Sequence, residues 1–366
     1  MIEKARISPS QLGMMMYLAT TPTAILSTPA ITYIFAKEDL WISPFWAFSG
    51  VIAVYVALQL HRMYPGLNLV QASERIVGRF LGKIIGFMFP LYYLYLNGIV
   101  VREYGEFVVG AFLLNTPLIV VTGSMVLICA IAVRGGVEIL GRFSELFLPA
   151  FLALFLFILV PIIPDLKLSN MLPIMGEGIR PSIEGSFVLQ TWFAELITVS
   201  YFLPYVADQG KAKISIWITF LMVVLTLVVS NLATLLLLGD ITGSFTYPFL
   251  ILARYIDLAE FFTHLESLYM AIWVLGAFVK ICVFHYVTAL GAAQWMRLSD
   301  YRPLVLPLGL LLVLFSIWVA PNYQELTHAI STSVTLSIMT VFVILPALLF
   351  CMAVVRNRLA GKAARR

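Results

Sequence analysis

The chain has 366 residues, is 61% hydrophobic and only 11% charged, and carries a formal net charge of +4. Soluble domains carry about 25% charged residues, so a soluble globular enzyme is excluded, and the high hydrophobicity excludes intrinsic disorder. The apolar residues lie in blocks of helical length, not in the short alternating segments of an outer-membrane barrel, which predicts a polytopic, all-α integral membrane protein.

At about 20 residues per span, the chain holds roughly ten transmembrane helices. Ten apolar segments are predicted near 9–36, 44–64, 83–112, 116–133, 141–163, 184–206, 213–238, 265–294, 303–319 and 330–354. They form one transmembrane domain, 1–366, with candidate repeats at about 9–163 and 184–354 and a basic tail at 355–366. The residues before the first span include Lys4 and Arg6 but no small-residue cleavage motif, so that span is read as a retained helix, not a signal peptide. The amphipathic stretch 245–260 is expected to be re-entrant or interfacial.

The charges between spans set the orientation. Seventeen Lys and Arg residues fall in the segments on the side of the N-terminus, against only Lys37, Lys167, Arg180 and Arg254 on the other side. By the positive-inside rule both termini are cytoplasmic. The tail RNRLAGKAARR reads as an anchor on anionic lipid, not as a nucleic-acid site. Cys129, Cys282 and Cys351 all lie in apolar runs with no metal-ligand spacing, so neither a disulfide framework nor a metal centre is expected. His61, His264 and His328 fall near predicted interfaces and His285 within the eighth span, none with a ligand neighbour at helical spacing.

Two spans five apart carry interruptions. The first holds five hydroxyl residues and two prolines between Thr20 and Pro29, and the sixth holds Glu195-Leu196-Ile197-Thr198-Val199-Ser200 followed by Pro204. Proline removes a backbone donor, and hydrocarbon tolerates freed backbone groups only where protein or a wet cavity satisfies them. Broken helices in matching positions of two five-helix halves point to an inverted repeat with a ligand between the breaks. The alternative is ordinary kinked helices in which Ser and Thr bond back to their own turns.

Ionisable side chains within spans are costly, so they line a cavity or pair with one another. Arg102 and Glu106 share one face of the third span, giving either an intrahelical ion pair or, with Glu103, part of an outer gate. Lys280 sits mid-span in the eighth helix, on a face with Tyr269, Trp273, Gly276 and Phe284. It is either a proton- or ion-coupling group or one half of a fixed pair with Glu195 or Glu145. Tyr93, Asn97 and Tyr104 share another face of the third span, where a midplane Asn serves a ligand or a neighbouring helix. Gly78, Gly82 and Gly86 form a small-residue series suited to close helix packing. No nucleophile triad, P-loop or dinucleotide fingerprint occurs, so no enzymatic activity and no cofactor are expected.

Several motifs, in order along nearly the whole chain, are familiar: ISPSQLG and ILSTPA in the first span, VGRFLGK at 77–83, VREYGEF at 101–107, Thr116-Pro117, and VRGGVEILGRFSE at 133–145. This pattern resembles the B subunits of bacterial spore germinant receptors, the spore germination permeases of the amino acid–polyamine–organocation superfamily. The resemblance implies a LeuT-like fold of ten helices in a 5+5 inverted repeat with broken helices 1 and 6. It also implies recognition of a small germinant, commonly an amino acid, at the spore inner membrane, with the A subunit and the C lipoprotein subunit as partners. In such folds the ligand carboxylate meets free backbone donors in the first span, which maps to Thr23, Ala24, Ile25, Ser27 and Thr28. Tyr93, Asn97, Glu195, Thr198 and Trp273 are expected to complete the ligand site. Relatives typically carry glycine in the first break, whereas Thr21-Pro22-Thr23-Ala24-Ile25 has none, so Cβ atoms line this chain's site. A sensing subunit is the expected function; the alternative is a proton-coupled amino acid permease using Lys280 or Glu195.

Overall fold

Long apolar runs with their polar residues confined to caps and kinks fold here as helices, and the computed structural model describes residue 3, residues 5–256 and residues 266–363. Ser8 starts α1 (Pro9–Ala36) through a reciprocal capping box with Gln11. Then follow α2 (Phe48–Met63), the short amphipathic α3 (Leu69–Val77), α4 (Arg79–Ala111), α5 (Leu118–Arg134) and α6 (Val137–Ile162). The second half contains α7 (Arg180–Ala194), α8 (Val199–Phe202), α9 (Gln209–Leu238), α10 (Pro248–Tyr255), α11 (Glu266–Met296) and α12 (Arg302–Trp318). It closes with α13 (Tyr323–Ala329), α14 (Thr335–Ile338) and α15 (Leu345–Ala363), joined into one long helix by two wide π turns. In the first of these turns the Thr335 hydroxyl bonds to the Ile330 carbonyl and to Thr191 on α7.

Among the described residues, seven helical stretches are long and apolar enough to cross a membrane. The other three predicted segments are filled by α1 and by the 17-residue apolar helices α5 and α12. The sixth span begins at Arg180 and the last at Tyr323, earlier than their apolar content suggests, because polar first turns extend both helices. Residues 257–265, which include the last four residues of the expected interfacial stretch and His264, lie outside the described residues, as do Lys4, Arg365 and Arg366.

The positions of the helices explain their compositions. From Leu12 to Thr32 every residue of α1 except Met14 is buried, packed among α6, α7, α9 and α11. A helix enclosed by protein on all sides can carry hydroxyls that a lipid-facing helix cannot. Conversely α6 exposes Leu146, Leu156 and Val160 on its outer face. Close packing depends on glycine at two crossings. A Cβ on Gly82 would strike the α3 backbone at Glu74, and one on Gly276 of α11 would collide with the Pro22 ring on α1.

One expectation is corrected. The first span is not unwound: α1 is a single continuous helix through Pro22 and Pro29. Without glycine in Thr21–Ile25, the chain has no residue that readily leaves helical geometry there. The sixth span does break, passing from α7 through a 3₁₀ turn at Glu195–Thr198 into α8 and a second 3₁₀ turn at Leu203–Tyr205.

Candidate functional site

The tight turn at Glu195–Thr198 aims the Glu195 carboxylate inward, where α11 presents Lys280. Lys280 Nζ lies 2.8 Å from Glu195 Oε2 and donates to Thr23 Oγ1 on α1 at 3.0 Å. Both charged side chains are almost fully buried, at 2% and 4% exposure. Trp192, one turn before Glu195, donates its indole N–H to the same Thr23 oxygen at 3.2 Å, and Thr23 donates onward to the Thr20 carbonyl. Four side chains thus tie α1, the broken sixth span and α11 together at one point. Glu145 stands apart, exposed on the outer face of α6, and is not the partner of Lys280.

The third span supplies the next wall. The hydroxyls of Tyr93 and Thr198 are 2.8 Å apart, linking α4 to the second half of the break. Asn97 donates its amide to the Ile281 carbonyl of α11 at 3.1 Å, which makes it an interhelical tie, while its Oδ1 has no hydrogen-bond partner among the described residues. Trp273 stacks on Tyr104 at 5.7 Å between ring centroids and lies 4.6 Å from Phe107; its indole N–H likewise has no partner among the described residues. Glu103, buried one residue before Tyr104, interacts electrostatically with Lys280 and Glu195.

Arg102 belongs to a different structure. It pairs with Glu106 at 2.8 Å on the same helix and donates to the carbonyls of Ser316, Ile317 and Pro321, closing the end of α12. The intrahelical pair is therefore the observed arrangement, with an added capping role that spacing alone did not reveal.

Within α1, Ala24 and Ile25 are packed in the core, and their backbone N–H groups fall inside the continuous helix. The free backbone donors expected at Ala24–Thr28 are thus replaced by acceptors. Pro22 and Pro29 cannot donate to the carbonyls four residues earlier, at Leu18 and Ile25. The hydroxyls of Ser27 and Thr28 have no hydrogen-bond partner among the described residues. Ser27 also lines a cavity of about 480 Å³ at the end of the bundle away from the termini, with Tyr323, Thr327, His328 and Ser331.

The sequence reading did not single out Trp192, although it sits three residues before Glu195 and so shares its helical face. No group of three or more His, Cys, Asp or Glu suited to a metal ion occurs among the described residues.

The broken sixth span follows the plan of the LeuT-like fold, and the continuous first helix departs from it. The fold agrees: a nucleobase-cation-symport-1 family transporter, solved closed with bromovinylhydantoin bound, superposes with a TM-score of 0.72 at 14% identity, covering 94% of this chain and 78% of that one. The chain belongs to the family described as Spore germination protein, which matches residues 6–324. It is 28% identical to spore germination protein KB of Bacillus subtilis over 98% of this chain and 97% of that one. Spore germination protein YndE of the same organism is 25% identical over 97% and 98%.

Proposed function

We propose that this chain is the membrane subunit of a nutrient germinant receptor and binds a small germinant of the amino-acid class beside Thr23, Glu195 and Lys280. That cluster carries the reading. An α-amino acid bears one ammonium and one carboxylate, so it can enter between Lys280 and Glu195 and return an opposite charge to each. Thr23, with the carbonyls freed by Pro22 and Pro29, offers acceptors for the ammonium, and the unpartnered Asn97 and Trp273 atoms offer further contacts. Binding between α1, the sixth span and α11 would shift three helices that this cluster ties together, which is how occupancy becomes a signal without chemistry on the ligand.

The family membership supports assembly with A- and C-type receptor subunits in the spore inner membrane, termini to the cytoplasm, the basic tail lying on anionic lipid. The test is germination of spores that carry this chain with its cognate A and C subunits, exposed to single amino acids, with release of core solutes as the readout. One or a few amino acids should trigger release, and a Glu195→Gln receptor present at wild-type level should need far higher concentrations. A Glu195→Gln receptor with an unchanged dose response would contradict the assignment.

A further inference from the structure

Between α2 and α9, at the end of the bundle that carries the termini, lies a second cleft of about 540 Å³. Its mouth holds Arg62, Lys213 and His61, and its walls are Tyr55, Leu58 and Trp217. We infer that this cleft binds an anionic phospholipid of the surrounding leaflet, headgroup on Arg62 and Lys213, acyl chain against Tyr55 and Trp217.

Three observations converge on that occupant. Neither Arg62 nor Lys213 has a hydrogen-bond or ion-pair partner among the described residues, whereas Lys211, two residues away, is paired with Asp208. The cleft is shaped to hold its position, since Gln209 donates to the Leu203 and Val206 carbonyls and turns its oxygen to His61 Nε2 at 3.1 Å. Finally, the walls run into exposed apolar surface: Val51, Ile52 and Tyr55 on α2, Ile214 and Ile218 on α9. A free phosphate would use only the mouth; a phospholipid uses mouth and walls together. Basic pockets between spans at the cytoplasmic face are a known setting for such headgroups.

The test is retention of phosphatidylglycerol by the purified full chain, counted by native mass spectrometry and titrated by thermal shift, with phosphatidylcholine and inorganic phosphate as the other ligands. The wild type should retain phosphatidylglycerol and be stabilised by it, with little response to phosphatidylcholine or to phosphate. The R62Q/K213Q double variant should weaken that response at least tenfold. R62K/K213R should restore it, and Lys211→Gln, which removes a neighbouring paired cation, should leave it unchanged. Equal retention of both lipids by the wild type, protection by phosphate alone, or an equal loss in Lys211→Gln would overturn the assignment. All these side chains are exposed, so the variants are expected to fold.

Discussion

Lys280 on α11 and Glu195 in the broken sixth span form a buried ion pair, Nζ to Oε2 2.8 Å, and the same ammonium donates to Thr23 on α1. Burying two charges is expensive, and their attraction offsets that cost only while both remain. The pair is therefore a poor way to gain stability and a good way to hold three helices in one arrangement until something competes for the charges.

Removing one partner should accordingly cost more than removing both. Lys280→Met or Glu195→Met alone is expected to destabilise the protein by about 3–5 kcal/mol, the cost of a stranded buried charge. The K280M/E195M double variant should recover most of that loss. Thermal unfolding of the four proteins in one detergent checks the cycle; simple addition of the two single losses would contradict it.

Thr23 receives two donors, the Lys280 ammonium and the Trp192 indole. Thr23→Val keeps the shape and deletes the acceptor, leaving both donors short of a partner at about 1–3 kcal/mol. Thr23→Ser keeps the oxygen and should stay near wild type. Melting temperatures of the two variants separate the hydroxyl from the packing.

Gly276 lies against the Pro22 ring, and any Cβ there would collide with it. Gly276→Ala should cost about 1–3 kcal/mol as overpacking, or force α1 and α11 apart. Gly110, where a Cβ meets nothing within 4 Å among the described residues, is the matched control, and Gly110→Ala should be near neutral. Comparing the yield and melting temperature of the two variants tests this.

Arg102 joins Glu106 to the last carbonyls of α12 through a planar fork of donors. Lysine cannot reproduce that geometry, so Arg102→Lys should lose about 2 kcal/mol of stability despite keeping its charge. Glu106→Gln, at a more exposed carboxylate, should lose less. Thermal unfolding ranks the two; the reverse order would contradict the capping role.

Much of this was legible in the sequence, and the exceptions share a cause. Blocks of apolar residues located the spans, and a lysine in the middle of one left open a coupling group or a pair with Glu195 or Glu145, of which Glu195 is the partner. The break in the sixth span was readable from a charged residue and Pro204 at membrane depth. The first span misled because two prolines resemble a break, yet proline inside an enclosed helix can be borne by its neighbours when no glycine lets the backbone turn away. Periodicity places residues on faces of one helix but carries no information about which helix lies opposite. Hence Trp192 meeting Thr23, Pro22 meeting Gly276 and Arg102 meeting the end of α12 all had to come from the structure. For the same reason Asn97 was left open between a ligand and a neighbouring helix, and its amide proves to serve α11.

The most direct test of the account is equilibrium binding of labelled amino acids to the purified chain, run beside the K280M/E195M double variant. The account predicts saturable binding of at least one amino acid to the wild type and a loss of a hundredfold or more in the double variant, with both proteins folded by circular dichroism. Binding that survives unchanged in the double variant, or a folded wild type that binds no amino acid, would contradict it.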